Sequence, residues 1–180
     1  MLGAGWEVTD LNAHPDVPAP EETGETFAEN AVIKALAAAE RFAGIVLSDD
    51  SGLEVDALDG APGVRSARYA GAAASDAANR LRLLRELEAK QARGKARSAR
   101  FRCVMALVED GKILGSFDGR VEGVIINAER GDGGFGYDSL FVPEGHCETF
   151  AQLPADVKNQ LSHRGRALAK VLSYLQRPQR

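Results

Sequence analysis

The segment Leu47-Ser48-Asp49-Asp50-Ser51-Gly52-Leu53 combines a strand signal with a pair of carboxylates. The apolar run Ile45-Val46-Leu47 is typical of a short buried strand, and Gly52 indicates a turn after it. Successive side chains of a strand point to opposite faces, so one aspartate can face a cleft while the other faces the scaffold. The pattern therefore predicts a hard-cation site at the end of this strand, with a plain acidic turn as the alternative.

The composition indicates one globular domain with an ordinary core. The chain has 180 residues, 44% of them hydrophobic, and a formal net charge of -4, which favours neither nucleic acid nor an anionic membrane as a partner. No apolar run approaches the roughly 20 residues of a membrane helix, and no signal peptide is visible. Cys103 and Cys147 have no metal or redox spacing. We therefore expect a cytoplasmic protein without nucleic-acid or membrane partners.

Helix and strand signals alternate along the chain. They predict a helix over about residues 23–42 capped by Thr23, the strand at 45–47, a helix from Ser75 or Asp76, a hairpin of 99–109 and 113–126 around Asp110-Gly111, and a tail helix from Asp156 that restarts at Ser162. This order predicts an α/β fold, with a central mixed β-sheet and helices on more than one side.

A second acidic pair, Glu21-Glu22, precedes the first helix. Alone it is most simply a charged helix start favoured by the helix dipole. Together with Asp49 and Asp50 it indicates carboxylates from two segments that converge on one ion, and Mg²⁺ normally uses one or two carboxylates with water and phosphate oxygens. Lys34 is either a solvated helix lysine or a point charge aimed at a phosphate chain.

The segment Gly131-Asp132-Gly133-Gly134-Phe135-Gly136-Tyr137-Asp138 is too rich in glycine for a regular element. Its backbone N–H groups can approach a ligand closely, and Phe135 or Tyr137 can stack on a flat base. The alternatives are a flexible glycine hairpin and a site for a ligand that is not a nucleotide. Lys158 and the run Ser162-His163-Arg164 place donors at the start of the last helix, where a capped surface helix is the alternative.

Taken together, these segments resemble the inosine triphosphate pyrophosphatase family of non-canonical purine nucleotide hydrolases. The resemblance covers nearly the whole chain, and several blocks together are far more specific than any one. The matching blocks are Glu22-Thr23-Gly24, Thr26-Phe27, Glu29-Asn30-Ala31, Lys34-Ala35, Asp49-Asp50-Ser51-Gly52-Leu53, Ala61-Pro62-Gly63-Val64, Ser66-Ala67-Arg68-Tyr69-Ala70-Gly71, Gly134-Phe135-Gly136-Tyr137-Asp138 and Ser162-His163-Arg164.

The resemblance implies a single nucleotide pyrophosphatase domain over residues 1–180, with two lobes and an active cleft between them. It implies Mg²⁺-dependent cleavage of ITP, dITP and XTP to the monophosphate and pyrophosphate, and a homodimer. Asp50 would be the proton acceptor and a metal ligand, with Glu21 as the second metal-side carboxylate and Glu22 and Asp49 as its alternatives. Ser51 would contact the substrate and Lys34 would lie near the phosphates. The base and nucleotide would be held by Phe135, Gly136, Tyr137, Asp138, Lys158, His163 and Arg164.

The beginning of the sequence departs from this family. The family usually opens with a strand and a phosphate-gripping loop of the form Thr/Ser-Gly-Asn-x-x-Lys, followed by a helix. Here Met1-Leu2-Gly3-Ala4-Gly5-Trp6 resembles the stretch after that helix, so the resemblance predicts a chain that is N-terminally short relative to the family. Two alternatives follow: a catalytically impaired nucleotide-binding or dimer-forming protein, and a metal phosphohydrolase for another nucleotide.

Overall fold

The structure is a computed structural model that describes residues 6–177. The elements of this part of the chain are α1 (Phe27–Ala39), β1 (Ile45–Val55), α2 (Asp76–Ala89), β2 (Ser98–Glu109), β3 (Lys112–Ile125), β4 (Phe141–Pro143), α3 (Ala155–Leu161) and α4 (His163–Leu175). The described helices are all too short or too polar to cross a bilayer.

The strands form one sheet in the order β1-β2-β3-β4. The α/β fold with flanking helices is confirmed, but the described strands pair antiparallel throughout, whereas we expected a mixed sheet. The reason lies in α2, whose Leu83 and Leu87 pack with Val55 at the end of β1 and with Ala99 at the start of β2. The chain therefore enters β2 at the end where it left β1, and the two strands run in opposite directions.

β1 is much longer than the sequence predicted. We expected a strand at 45–47 and a turn at Gly52, but β1 continues to Val55 and Gly52 lies inside it. Every residue of β1 is paired with β2, and Asp50 lies opposite Val104. Pairing with β2 provides hydrogen-bond partners for the backbone of the polar residues too, so the strand does not end there. The two aspartates therefore lie in the middle of the strand instead of at its end.

Helices cover both faces of the sheet. On one face α1 packs on β2 through the small residues Ala31, Ala35, Ala106 and Val108. On the other face α4 packs on β2 through Cys103, Met105, Leu107, Ala167 and Val171. The central strand β2 is thus buried on both sides, which fixes its register and with it the register of β1.

Two side-chain caps set where the helices at the candidate site begin. Thr26, and not Thr23 as predicted, caps α1 in a capping box: its Oγ1 accepts from the Glu29 amide at 3.2 Å, and Glu29 Oε2 accepts from the Thr26 amide at 3.0 Å. Ser162 separates α3 from α4 as predicted, and its Oγ accepts from the Gly165 amide at 3.1 Å.

α4 lies directly against the backbone of β3 at Gly119. A Cβ atom at this position would lie 2.2 Å from the carbonyl oxygen of His163 and 2.4 Å from the amide nitrogen of Ala167. Only a glycine leaves space for this contact, because the opposing atoms are backbone. The close approach is what brings the first turn of α4 to the sheet.

We expect Gly119→Ala to lower the free energy of unfolding by about 1–3 kcal/mol, the usual cost of overpacking. Gly115→Ala is the matched control on the same strand, since a Cβ there would meet only the ring of Phe117, at 3.0 Å. Urea unfolding of both variants checks this. Equal losses in the two variants would contradict the proposed contact between α4 and β3.

Candidate active site

The two neighbouring aspartates of β1 point to opposite faces of the sheet, as the alternation of a strand predicts. Asp50 faces α1 and is bound by Lys34 and Asn30. Asp49 faces α4 and is bound by Arg164. The candidate site therefore has two halves, which we call the acidic cluster on the α1 face and the aromatic cluster on the α4 face.

The acidic cluster consists of Glu22, Asn30, Lys34, Asp50 and Arg68. Lys34 Nζ lies 2.9 Å from Glu22 Oε1 and 2.9 Å from Asp50 Oδ1, so one ammonium bridges two carboxylates. Arg68 Nη1 donates to the other oxygen of Glu22 at 3.1 Å, and Asn30 Nδ2 donates to the other oxygen of Asp50 at 3.2 Å. All four carboxylate oxygens are therefore hydrogen-bonded.

These contacts favour the charged forms of Glu22 and Lys34. Burial alone would raise the pKa of Glu22, but hydrogen bonds from Lys34 and Arg68 outweigh it and hold that pKa below its usual value. Burial likewise opposes the charge of Lys34, yet the bonds to Asp50 and Glu22 raise its pKa. The two cations balance the two carboxylates.

The structure brings Glu22 to the acidic cluster, whereas Glu21 is exposed. Of this pair, Glu22 is the one that contacts Lys34. Within residues 6–177, no group of three or more histidine, cysteine, aspartate or glutamate side chains gathers as a metal site. The pair of Glu22 and Asp50 nevertheless fits Mg²⁺, which needs only one or two carboxylates beside water and phosphate.

The aromatic cluster surrounds Phe135, whose ring is exposed. Lys158 Nζ lies 5.3 Å from the centroid of this ring, and the guanidinium carbon of Arg164 lies 5.6 Å from it. Each cation is held by a carboxylate: Lys158 by the buried Asp138 at 2.5 Å, and Arg164 by Asp49 at 3.0 Å. An exposed aromatic face beside two fixed cations suits a flat ligand with electronegative edges.

Other predicted site residues make hydrogen bonds within the protein that hold the segments of this cluster in place. Ser51 Oγ donates to Asp49 at 2.9 Å, and the buried Tyr137 donates its hydroxyl to the carbonyl of Ser66 at 2.9 Å. The N–H of Gly136 donates to Asp76 at 2.7 Å. These groups position the glycine-rich segment and β1 in the arrangement described.

His163 lies at the inner edge of the aromatic cluster. Its ring is buried, stacks on Phe101 at 5.0 Å between centroids, and leaves Nδ1 without a hydrogen-bond partner. Burial, with the nearby charge of Arg164, lowers the pKa of His163 to about 3. His163 is thus a neutral imidazole at physiological pH, with one buried polar atom that has no hydrogen-bond partner.

Asn30 and Arg68 are cluster members to which the sequence analysis gave no role. The sequence did contain a signal for Asn30: it lies one helical turn before Lys34, and residues at that spacing share a helix face. Arg68 falls in a family block, but nothing in its local sequence indicates Glu22 as its partner.

Comparisons with known proteins identify the family of this chain. The profile of the Ham1 family matches residues 1–174. The chain belongs to the Ham1 family. It is 49% identical over 173 residues to a dITP/XTP pyrophosphatase of Desulforamulus reducens, covering 96% of this chain and 85% of that protein. It is also 49% identical to a dITP/XTP pyrophosphatase of Geobacter sulfurreducens, covering 96% and 86%.

Solved structures of Ham1 proteins share the fold. A HAM1 protein from Coxiella burnetii matches with a TM-score of 0.83 and 47% identity, over 89% of this chain and 81% of that one. The Ham1 protein of Staphylococcus aureus matches with a TM-score of 0.82 and 42% identity, over 92% and 84%. The family resemblance drawn from the sequence is therefore confirmed.

The buried neutral state of His163 predicts a pH dependence of stability. In the unfolded chain a histidine binds a proton below about pH 6.5, whereas folded His163 does so only near pH 3. His163 therefore leaves the free energy of unfolding unchanged above about pH 6.5 and lowers it progressively as the pH falls toward 3. We expect titration of this group to lower the free energy of unfolding by on the order of 1 kcal/mol between pH 7.5 and pH 5.5.

Urea unfolding at several pH values checks this, with His163→Gln as the comparison because glutamine does not titrate. The variant should show a smaller loss between pH 7.5 and 5.5 than the unsubstituted protein, whatever its absolute stability. An identical pH dependence would contradict the assignment.

Proposed function

We propose that this protein hydrolyses non-canonical purine nucleoside triphosphates, namely ITP, dITP and XTP, to the monophosphate and pyrophosphate. The observation that carries the proposal is the pair Asp49 and Asp50, which anchor the aromatic and acidic clusters on opposite sides of one strand. A base-binding surface and a charged hydrolytic group are thus one residue apart in β1. The named activity of the related dITP/XTP pyrophosphatases supports the same conclusion.

In the proposed reaction a water molecule attacks the α-phosphorus, the bond to the bridging oxygen of the leaving group breaks, and pyrophosphate departs. Asp50 takes the proton of the attacking water. Phosphoryl-type transfer depends mainly on positioning and electrostatics, and Lys34 lies beside Asp50 in the half of the site proposed for the phosphates. General-base assistance of this kind typically contributes 10²–10⁴-fold.

The charge balance of the acidic cluster supports a divalent cation. Lys34 and Arg68 offset Glu22 and Asp50, so the cluster has no surplus positive charge for a triphosphate. We propose that Asp50 and Glu22, in place of the expected Glu21, hold Mg²⁺. When bound, Mg²⁺ would neutralise phosphate oxygens and orient the water.

Selectivity for hypoxanthine and xanthine follows from the donors around Phe135. These bases carry an oxygen at position 6, where adenine carries an amino donor. Lys158 and Arg164 present N–H groups beside the Phe135 ring, so an adenine amino group there would meet other donors. Buried mismatches of this kind discriminate strongly.

The family resemblance also supports a homodimer in the cytoplasm and a single two-lobed domain over residues 1–180 with the cleft between its lobes. The free thiols of Cys103 and Cys147 are compatible with reducing surroundings. Sedimentation of the purified protein distinguishes a monomer from a dimer.

Asp50→Asn should lower kcat for pyrophosphate release from ITP by about 10²–10⁴-fold, because the amide cannot accept the proton. The measurement is steady-state kinetics with ITP, XTP and ATP, with and without Mg²⁺. Asp118→Asn, which removes a carboxylate bound to Arg102 on another strand, is the control and should retain activity. Equal rates on ATP and ITP, or an active Asp50→Asn, would defeat the proposal.

Phe135→Ala should raise KM for ITP by roughly 10-fold, since stacking on an aromatic ring contributes about 1–3 kcal/mol per base. The value of kcat should change much less, because the ring touches the base and not the reacting phosphorus. Leu81→Ala removes an exposed apolar side chain from α2 and serves as the control. An unchanged KM in Phe135→Ala would place the base elsewhere.

A further inference from the structure

Asn30 is a fully buried polar side chain that bonds in two directions. Its Nδ2 donates to Asp50 Oδ2 at 3.2 Å. Its Oδ1 accepts the backbone N–H of Gly24 at 2.8 Å. One amide group therefore connects the strand that carries Asp50 to the loop that carries Glu22.

The spacing on α1 divides the oxygens of Asp50 between two donors. Asn30 and Lys34 lie one turn apart, and they bind Oδ2 and Oδ1 respectively. The amide donor is neutral, short and fully buried, whereas Lys34 is a long, partly exposed side chain. Asn30 thus fixes the plane of the carboxylate, and Oδ1 is the oxygen turned toward Lys34 and Glu22.

The loop is fitted closely to this amide. A Cβ at Gly24 would lie 2.7 Å from Asn30 Oδ1 and 2.7 Å from the Cβ of Glu29. Any larger residue would push the Gly24 peptide away from Asn30. The position of Glu22, two residues earlier, depends on the same contact.

We propose that Asn30 is a positioning residue for the hydrolysis, which acts by holding Asp50 Oδ2 and the Gly24 peptide at once. This inference rests on the proposed function, because it assigns Asn30 a part in presenting Asp50 Oδ1 to the reacting water. A purely structural asparagine would contribute to folding only. Two substitutions separate these roles.

Asn30→Ala removes both hydrogen bonds. Asn30→Asp keeps an acceptor for the Gly24 N–H but, when ionised, cannot donate to Asp50. Ser48→Ala is the matched control, since Ser48 also joins β1 to α1, through a hydrogen bond to the carbonyl of Ala31, and does not donate to Asp50. Steady-state kinetics with ITP and Mg²⁺, ITP binding by calorimetry in EDTA, and the thermal unfolding midpoint are measured for all three variants.

We expect kcat for pyrophosphate release to fall at least 10-fold in both Asn30 variants and less than 3-fold in Ser48→Ala. The Kd of ITP in EDTA should change less than 3-fold in all of them, because Phe135 and its cations lie on the other face of β1. Assays run well below the unfolding midpoints ensure that a lower kcat does not reflect unfolded protein.

An active wild type with an unimpaired Asn30→Asp would overturn the inference and leave the proposed function standing. A loss of kcat in Ser48→Ala equal to that in the Asn30 variants would also overturn it, since general loosening of α1 on β1 would then be the cause. A wild type that releases no pyrophosphate from ITP, XTP or GTP would overturn the proposed function, and the inference with it.

Discussion

The site depends on the ammonium of Lys34, which lies 2.9 Å from a carboxylate oxygen of Glu22 and 2.9 Å from one of Asp50. Without it, two partly or fully buried carboxylates would face each other, and at an effective dielectric near 20 such charges about 4 Å apart repel by roughly 4 kcal/mol. Lys34 and Arg68 offset this repulsion but leave the cluster with no net charge. The divalent cation proposed above would add the positive charge that a triphosphate requires at this cluster.

The second constraint is the period of β1. Because adjacent side chains of a strand point to opposite faces, Asp49 and Asp50 cannot serve the same half of the site. The sheet uses this by placing α1 on one face and α4 on the other, so each aspartate meets a cation from its own helix. Shifting the register of β1 against β2 by one residue would turn Asp49 and Asp50 to each other's faces of the sheet and break both sets of contacts.

Sequence reasoning predicted much of this, where the signal was local. The hairpin turn at Asp110-Gly111 and the restart of the tail helix at Ser162 follow from turn and cap chemistry, and both are confirmed. The length of β1 was missed because its polar centre reads as a turn, and only pairing with β2 carries it through Gly52. The sequence also could not predict that Glu22, and not Glu21, contacts Lys34, since this depends on where the loop before α1 meets that side chain.

The two halves are also joined through the backbone, by the 3-10 helix Gly63–Arg68. The carbonyl of Ser66 accepts the hydroxyl of Tyr137 from the glycine-rich segment, and Arg68 at the end of the same helix holds Glu22. Ser66 Oγ in turn accepts the N–H of Leu53, which fixes the helix to β1 just beyond Asp50. This short element thus connects the glycine-rich segment to β1 and to Glu22, and it sets the distance between the two halves of the candidate site.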